Sequence, residues 1–184
     1  MALTPAVRLR IGLWVLFLGG GALAGGWLDR RLFAAWAASP LFHWASGFLG
    51  LMVMAGVFRV SRVTGRTLAR YGRAGTVPRL ETNRLVTRGP YACMRHPMHF
   101  ALLFMPLGLA LILGSPGFIL LIAPVEALVM LALIFTLEER EALSKFGEAY
   151  AAYRRRVPAF ALRPSCLRRL WQEEPAHGQP PTPG

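Results

Sequence analysis

Residues Leu85 to His99 read Leu-Val-Thr-Arg-Gly-Pro-Tyr-Ala-Cys-Met-Arg-His-Pro-Met-His, directly before a long apolar run. The pair Glu138-Glu139 follows the next apolar run. Histidines and carboxylates are the residue types that move protons. Two acids beside a basic surface also invite a cation, such as a ligand ammonium or sulfonium. If the two apolar runs fold back on one another, these groups meet at one membrane face. Such a place would let a polar cofactor meet a lipid-soluble substrate.

Each group has a plainer reading beside the chemical one. Gly89-Pro90 marks a turn, and Pro97 suits the first turn of a helix, where its missing N–H costs nothing. His96 then precedes a helix start, which is a good place for a carboxylate. The plainer alternative is a capped helix with Arg95 reaching to headgroups. His99 lies about one turn further on, either as an interfacial hydrogen-bonding residue or as a base. Glu138 and Glu139 are either a solvated turn after a span or the partners of a cation. Glu126 falls near the middle of an apolar run, where an ionisable group is costly. It is either protonated and hydrogen-bonded or lining a polar cavity. Tyr150 and Tyr153 read as packing residues whose hydroxyls are able to reach a cofactor, and Arg154-Arg155-Arg156 read as a headgroup-binding patch.

The elements that position these groups follow from composition. The chain has 184 residues, 54% hydrophobic and 16% charged, with mean hydropathy +0.42, which excludes an ordinary soluble domain. The formal charge of +12 would suit nucleic acid, but the cations flank apolar runs, so anionic lipid headgroups are the expected partner. Four runs read as spans: 9–28, 41–60, 98–113 and 118–137. The first also has signal-peptide features, including Ala22-Leu23-Ala24, but Trp27 and Leu28 extend it to membrane length. Pro106 should kink the third run and Pro124 the fourth. Gly114-Ser115-Pro116-Gly117 joins these two as a tight turn.

The segment Arg59 to Arg95 holds nine arginines and one acid, Glu81. With four spans, this segment and both termini fall on the cytosolic side. An amphipathic cytosolic helix is expected over 138–157, where Leu143, Phe146, Tyr150, Tyr153 and Val157 share one face. Residues 1–164 then form one membrane domain, and 165–184 a disordered tail. Cys93 and Cys166 both fall on the reducing side, so no disulfide is expected, and neither has metal-ligand spacing around it.

The stretch Leu85-Val86-Thr87-Arg88-Gly89-Pro90-Tyr91, then Arg95-His96-Pro97, Glu138-Glu139, Phe146-Gly147-Glu148 and Tyr150-x-x-Tyr153-Arg154-Arg155-Arg156-Val157-Pro158 resembles the isoprenylcysteine carboxyl methyltransferase family, which is similar to the phospholipid N-methyltransferases. The match runs from about Asn83 to Phe160. The resemblance implies an all-α integral-membrane methyltransferase using S-adenosylmethionine, here a member of bacterial type, in the inner membrane. It implies cofactor contacts from Asn83, Arg84, Leu85, Val86, Tyr91, His96, Pro97, Met98, His99, Glu138, Tyr150 and Tyr153. His99 and Glu139 are the candidates for proton transfer, and no metal is called for. The family usually has tyrosine where His99 stands and often glycine where Ala101 stands. Its prenylcysteine-specific members have arginine where Ile134 stands, so the expected acceptor is another lipidic or small apolar molecule bearing a carboxylate, thiol or amine. Two other readings compete. One is an NADPH-dependent membrane sterol or enone reductase, which shares an Arg-His-Pro motif. The other is a non-catalytic membrane protein that retains the fold.

Overall fold

The computed structural model describes residues 5–78 and 80–172, and its regular structure is helical throughout. Helix α1 covers Pro5–Leu32, and a single turn, α2, covers Ala34–Ala37. Helix α3 covers Pro40–Tyr71, opened by Pro40 and by Ser39, whose hydroxyl accepts from the Phe42 N–H at 3.4 Å. It runs eleven residues past the expected end at Val60. The reason is a second pattern beyond the apolar run. Val63, Thr64 and Thr67 are buried, while Arg62, Arg66 and Arg70 point outward. The Thr64 and Thr67 hydroxyls donate to the carbonyls of Val60 and Val63, so their burial leaves no lone donor.

The third apolar run is two helices, α4 (Pro97–Leu102) and α5 (Met105–Leu113), both lying along α3. Pro106 sits in the first turn of α5; its ring would meet the Leu102 carbonyl of an unbroken helix. Gly114 ends α5 at φ 61°, and a Cβ there would lie 2.6 Å from the His43 ring, so only glycine closes this turn.

Residues 118–156 form one helical run, interrupted at Gly147. It starts with a π-helical turn, Phe118–Ile122, and continues as α6 (Ala123–Leu133), a second π turn (Ile134–Glu138) and α7 (Glu139–Arg156). Each π turn inserts one extra residue and rotates everything after it. The buried positions record this: Phe118, Ala123, Glu126, Met130, Ile134 and Glu139 lie five, three, four, four and five apart. Pro124, in the first turn of α6, accompanies the first π turn. The amphipathic helix expected over 138–157 is not separate from the fourth run, and it is broken at Gly147 (φ 55°, ψ −133°).

Helix α8 covers Pro164–Trp171, where a disordered tail from residue 165 was expected; residues 173–184 of that tail lie outside the described residues. Cys166 and Leu170 of α8 pack with Val60, Met94 and Ala101. That fold-back joins Cys93 and Cys166 in a disulfide with Cα atoms 5.5 Å apart. The expectation of unpaired cysteines is thereby corrected. It rested on placing both cysteines on the reducing side of the membrane, whereas the packing of α8 against Met94 and Ala101 is what brings the two residues together.

Helices Val7–Leu32, Pro40–Tyr71 and Phe118–Arg156 contain stretches long and apolar enough to cross a membrane, and 97–113 is a shorter apolar segment. Helix α1 docks through Gly21, Gly25 and Asp29, which share a face at four-residue steps. The Gly117 N–H donates to Asp29 Oδ1 at 2.7 Å. The bundle therefore has a basic end, carrying residues 59–78, 80–97 and 139–171, and an opposite end built around Asp29, His43 and Gly114–Gly117.

Candidate active site at the basic end

Between α3 and α4 the chain is organised by its own backbone. The Gly72 carbonyl accepts from the N–H groups of Asn83 and Arg84, at 2.8 and 3.1 Å. The Asn83 side chain clasps the backbone of Ala74, accepting from its N–H and donating to its carbonyl, both at 2.8 Å. Residues 84–88 then face the end of α3 across a cleft of about 300 Å³, where the guanidinium groups of Arg70 and Arg88 lie over the Tyr71 ring, 5.2 and 5.6 Å from its centre. A 3-10 turn follows at Gly89–Ala92, with Gly89 at φ 56°. It buries Tyr91, whose carbonyl accepts from the Tyr153 hydroxyl. Burial pushes the Tyr91 phenol well above its ordinary pKa, so it stays neutral.

Arg95 does not reach outward to headgroups. Its Nε and Nη2 donate to Glu139 Oε1 at 2.9 and 2.8 Å, and Nη1 donates to the Val157 carbonyl. His96 Nε2 lies 2.8 Å from the same oxygen, and Arg154 Nε lies 3.4 Å from Oε2. The main-chain N–H groups of Arg95 and His96 donate to Pro158 and Ala159. The His96 N–H is thus already used, and α4 is only six residues long, so the helix start is not the open carboxylate cradle expected from sequence. Burial holds the His96 imidazole below its ordinary pKa, outweighing the pull of Glu139, whose charge Arg95 already offsets.

The inward acid is Glu139, which is 3% exposed; Glu138 is half-buried, close enough to contribute to the field at His96. The π turn explains the choice. In a regular helix the residue stacked on buried Ile134 is Glu138, whereas the extra residue passes that place to Glu139. Two buried polar atoms remain without a hydrogen-bond partner here, Glu139 Oε2 and Tyr150 Oη. A group that donates hydrogen bonds or carries positive charge would complete both.

The phospholipid methyltransferase family matches residues 45–149, more than half of the chain and all of α4, α5 and α6. The chain belongs to that family. It is 34% identical over 164 residues to the cobalt-zinc-cadmium resistance protein CzcN of Cupriavidus metallidurans, covering 88% of this chain and 67% of that one. Its fold is similar to that of the eukaryotic intramembrane Ras methyltransferase, isoprenylcysteine carboxyl methyltransferase. The TM-score is 0.55 at 21% identity, over 82% of this chain. The chain spans about half the length of that solved structure, 53%. Family and apolar helices together make this an all-helical integral membrane protein of a methyltransferase family.

The fold gathers Tyr91, His96, Glu139, Tyr150 and Tyr153 at the basic end. His99 stands at its edge, its ring 5.7 Å from that of His96. Arg84, Leu85 and Val86 line the adjoining cleft. Pro97 is buried as the first residue of α4, and Met98 extends toward Gly65 of α3. Asn83 is the outlier, its side chain committed to Ala74. Sequence reasoning missed Arg95 and Arg154 as members of the cluster. No local pattern marks either, because the inward position of Glu139 that draws both cations is set by the π turn before it.

Proposed function

We propose that the protein transfers a methyl group from S-adenosylmethionine to a lipidic or small apolar acceptor at the cytosolic face of a bacterial inner membrane, with both termini cytosolic. The observation that carries this is the buried Arg95–His96–Glu139 cluster, flanked by the exposed Arg154 and holding two polar atoms without a hydrogen-bond partner, at the basic end of an apolar bundle. The residues fit the cofactor. Glu139 Oε2 and Tyr150 Oη suit a cationic amino group, Arg154 suits a carboxylate, and Leu85 and Val86 offer apolar surface to a purine. Tyr91, Pro97, Met98 and Tyr153 would wall the bound cofactor, Glu138 would add negative charge to attract a sulfonium, and Arg84 would line the approach. Asn83 serves by holding the 84–88 segment in place.

S-adenosylmethionine, when bound, supplies a methyl group already activated on sulfur, so the protein's work is positioning and the exclusion of water. Arg95 and His96 fix Oε1 of the Glu139 carboxylate, and Oε2, 3.4 Å from the exposed Arg154, would be the oxygen that meets the ligand. Neutral His96, as its Nε2–H tautomer, donates to Glu139 without adding a charge that would repel a sulfonium. An acceptor carboxylate or thiolate needs no base, whereas an amine must shed a proton. Glu139 is committed to Arg95 and His96, so His99 is the better placed of the two candidates to take it.

Isothermal titration with S-adenosylmethionine and with NADPH tests the reading, together with incubation of membranes with methyl-labelled S-adenosylmethionine and identification of the labelled product. Binding of S-adenosylmethionine alone is expected, weakened at least about tenfold in Glu139→Gln and less in Glu138→Ala. NADPH binding would favour a reductase, and neither ligand binding would leave a non-catalytic protein.

A further inference from the structure

The chain has two cysteines, Cys93 and Cys166, and they are bonded to each other across 73 positions. Methyl transfer as described above makes no use of that bond, yet the bond adjoins the site. Cys93 closes the 3-10 turn Gly89–Ala92, its N–H donating to the Pro90 carbonyl, and stands three residues before His96. On either side of it, the Tyr91 carbonyl accepts from the Tyr153 hydroxyl and the Met94 carbonyl lies 3.5 Å from the same oxygen. The Tyr153 ring meets that of Tyr150 at 6.0 Å, and the Tyr150 hydroxyl is one of the two polar atoms without a partner. The other end of the bond sits on α8, which is eight residues long. Its buried side chains are Cys166 and Leu170, and its last carbonyl, that of Trp171, accepts from Arg59 Nη2 at 3.2 Å. So short a helix is marginal by itself. Its position therefore depends on a small apolar cluster and on the bond.

We propose that Cys93 and Cys166 form a reversible thiol–disulfide site, through which a small thiol and its disulfide set how firmly the cofactor cluster is held. The effect on the cofactor rests on the methyl-transfer reading above, whose orientation puts the pair on the cytosolic side. Disulfides in that compartment are transient and sensing rather than permanent. Burial decides which sulfur reacts. Cys166 is 6% exposed and Cys93 is half-buried, so an incoming thiolate attacks Sγ of Cys93. The bond between the two Sγ atoms breaks, its electron pair leaves on Cys166, and that thiolate takes up a proton. A second small thiolate attacks the sulfur now bound to Cys93 and releases Cys93, which is protonated in turn. Two small thiols have given up two protons and two electrons and become one disulfide. In the reverse direction that disulfide is the oxidant, and the protein bond closes. Arg168 and Arg169, exposed on α8, lend the approach a positive field, which favours an anionic thiol of the glutathione kind. With the bond open, α8 is held by packing alone. The turn that carries the Tyr91 and Met94 carbonyls loses its covalent tie, and the frame around Tyr153 and Tyr150 loosens with it.

The test uses full-length protein in detergent, equilibrated with reduced and oxidised glutathione over a range of ratios. Free thiols are counted by the gel shift of a maleimide–polyethylene glycol conjugate. Trypsin cleavage after Arg168 and Arg169, mapped by mass spectrometry, reports the release of α8, because the second of these bonds adjoins buried Leu170. Titration with S-adenosylmethionine reports the cofactor site. The thiol count should pass reversibly from none to both cysteines as reduced glutathione comes to predominate. Reduction should speed the cleavage at least about tenfold and weaken S-adenosylmethionine binding at least about threefold. Cys93→Ser and Cys166→Ser should match the reduced parent at every ratio; if either fails to fold, the parent alone decides. A bond that stays closed in a large excess of reduced glutathione would overturn the proposal and leave a structural staple. So would a pair that never closes, or reduction that leaves either the cleavage or the affinity at its oxidised value. A protein that ignores S-adenosylmethionine in both states sinks the methyl-transfer reading, and the thiol count and cleavage then decide the thiol–disulfide site by themselves.

Discussion

Glu126 and Glu139 lie on one continuous helical run, and both are almost fully buried, yet their surroundings are opposites. Glu139 is met by Arg95, His96 and Arg154, brought in from the start of α4 and the end of α7. Glu126 is met by the bare backbone of Gly21 on α1, and its Oε2 has no hydrogen-bond partner. The first site is assembled by distant segments that converge on a carboxylate. The second is a matter of room, since a Cβ on Gly21 would fall 2.1 Å from Glu126 Oε1. Burial alone therefore does not make the two acids alike. What separates the two is whether the fold has gone to the expense of delivering cations, and only the basic end has done so.

The largest effect expected from this contrast is at Glu139. Glu139→Ala leaves Arg95 buried beside a vacated carboxylate, which should destabilise the protein by about 3–5 kcal/mol. Thermal or denaturant unfolding in detergent measures it. The control is Glu148, whose pair with Arg155 is also 2.8 Å long but lies in the open, with side chains 80% and 67% exposed. Removing an exposed partner should cost under about 1 kcal/mol. Equal losses at the two positions would mean that the buried cluster is no more than another surface pair.

Next comes the disulfide that anchors α8 to the same end. Cys93 and Cys166 close a 73-residue separation, and Cys166→Ser should cost about 2–4 kcal/mol. A reductant should reproduce the loss in the parent and leave Cys166→Ser unmoved. A parent that melts at the same temperature with and without reductant would show that packing of Leu170 and Val60, rather than the bond, holds α8.

The basic end should also respond to acid. His96 has a folded pKa below its ordinary value of about 6.5, so the folded state binds fewer protons than the unfolded chain between the two. Its contribution to stability is then fully present above about 6.5 and is lost as pH falls through the lowered value. Melting temperature measured against pH should fall on that side in the parent, and the fall should be smaller in His96→Gln. A parent whose melting point rises as pH is lowered below 6.5 would show His96 charged in the fold, with Glu139 dominating over burial.

These residues also show what could be read in advance. Helix starts at Pro40 and Pro97, the break before Pro106 and the turn at Gly114 are all local, because proline and glycine act through their own backbone. The inward acid was not local. Counting by regular helix periodicity puts Glu138 beneath Ile134, and nothing in Ile-Phe-Thr-Leu-Glu announces the π turn that substitutes Glu139. The direction of Arg95 was hidden for the same reason: it is set by Glu139 and by the Val157–Ala159 backbone, more than forty residues away. The cysteine pair depended on α8, whose strongly basic, short sequence looked like tail until Cys166 and Leu170 were seen packed against Val60. Asn83 was legible as part of the right segment but not as its clasp, since Ala74 as a partner emerges only when the loop closes on Gly72.

The smallest effect is the one that probes Glu126 itself, in the middle of the apolar run 118–137. Glu126→Gln keeps the shape of the side chain against Gly21 and Ile122 and removes only the ability to ionise. An isolated charge at that depth is costly, and no cation reaches Glu126 among the described residues, so the fold gains nothing from ionisation there. Stability should change by less than about 1 kcal/mol, and methyl transfer should be unaltered. The same substitution at Glu139 should weaken cofactor binding and lower stability together, because there the negative charge itself is what Arg95, His96 and Arg154 converge on. A folded Glu126→Gln that lost cofactor binding together with Glu139→Gln would give Glu126 a part in the same work, and the distinction drawn from delivered cations would no longer stand.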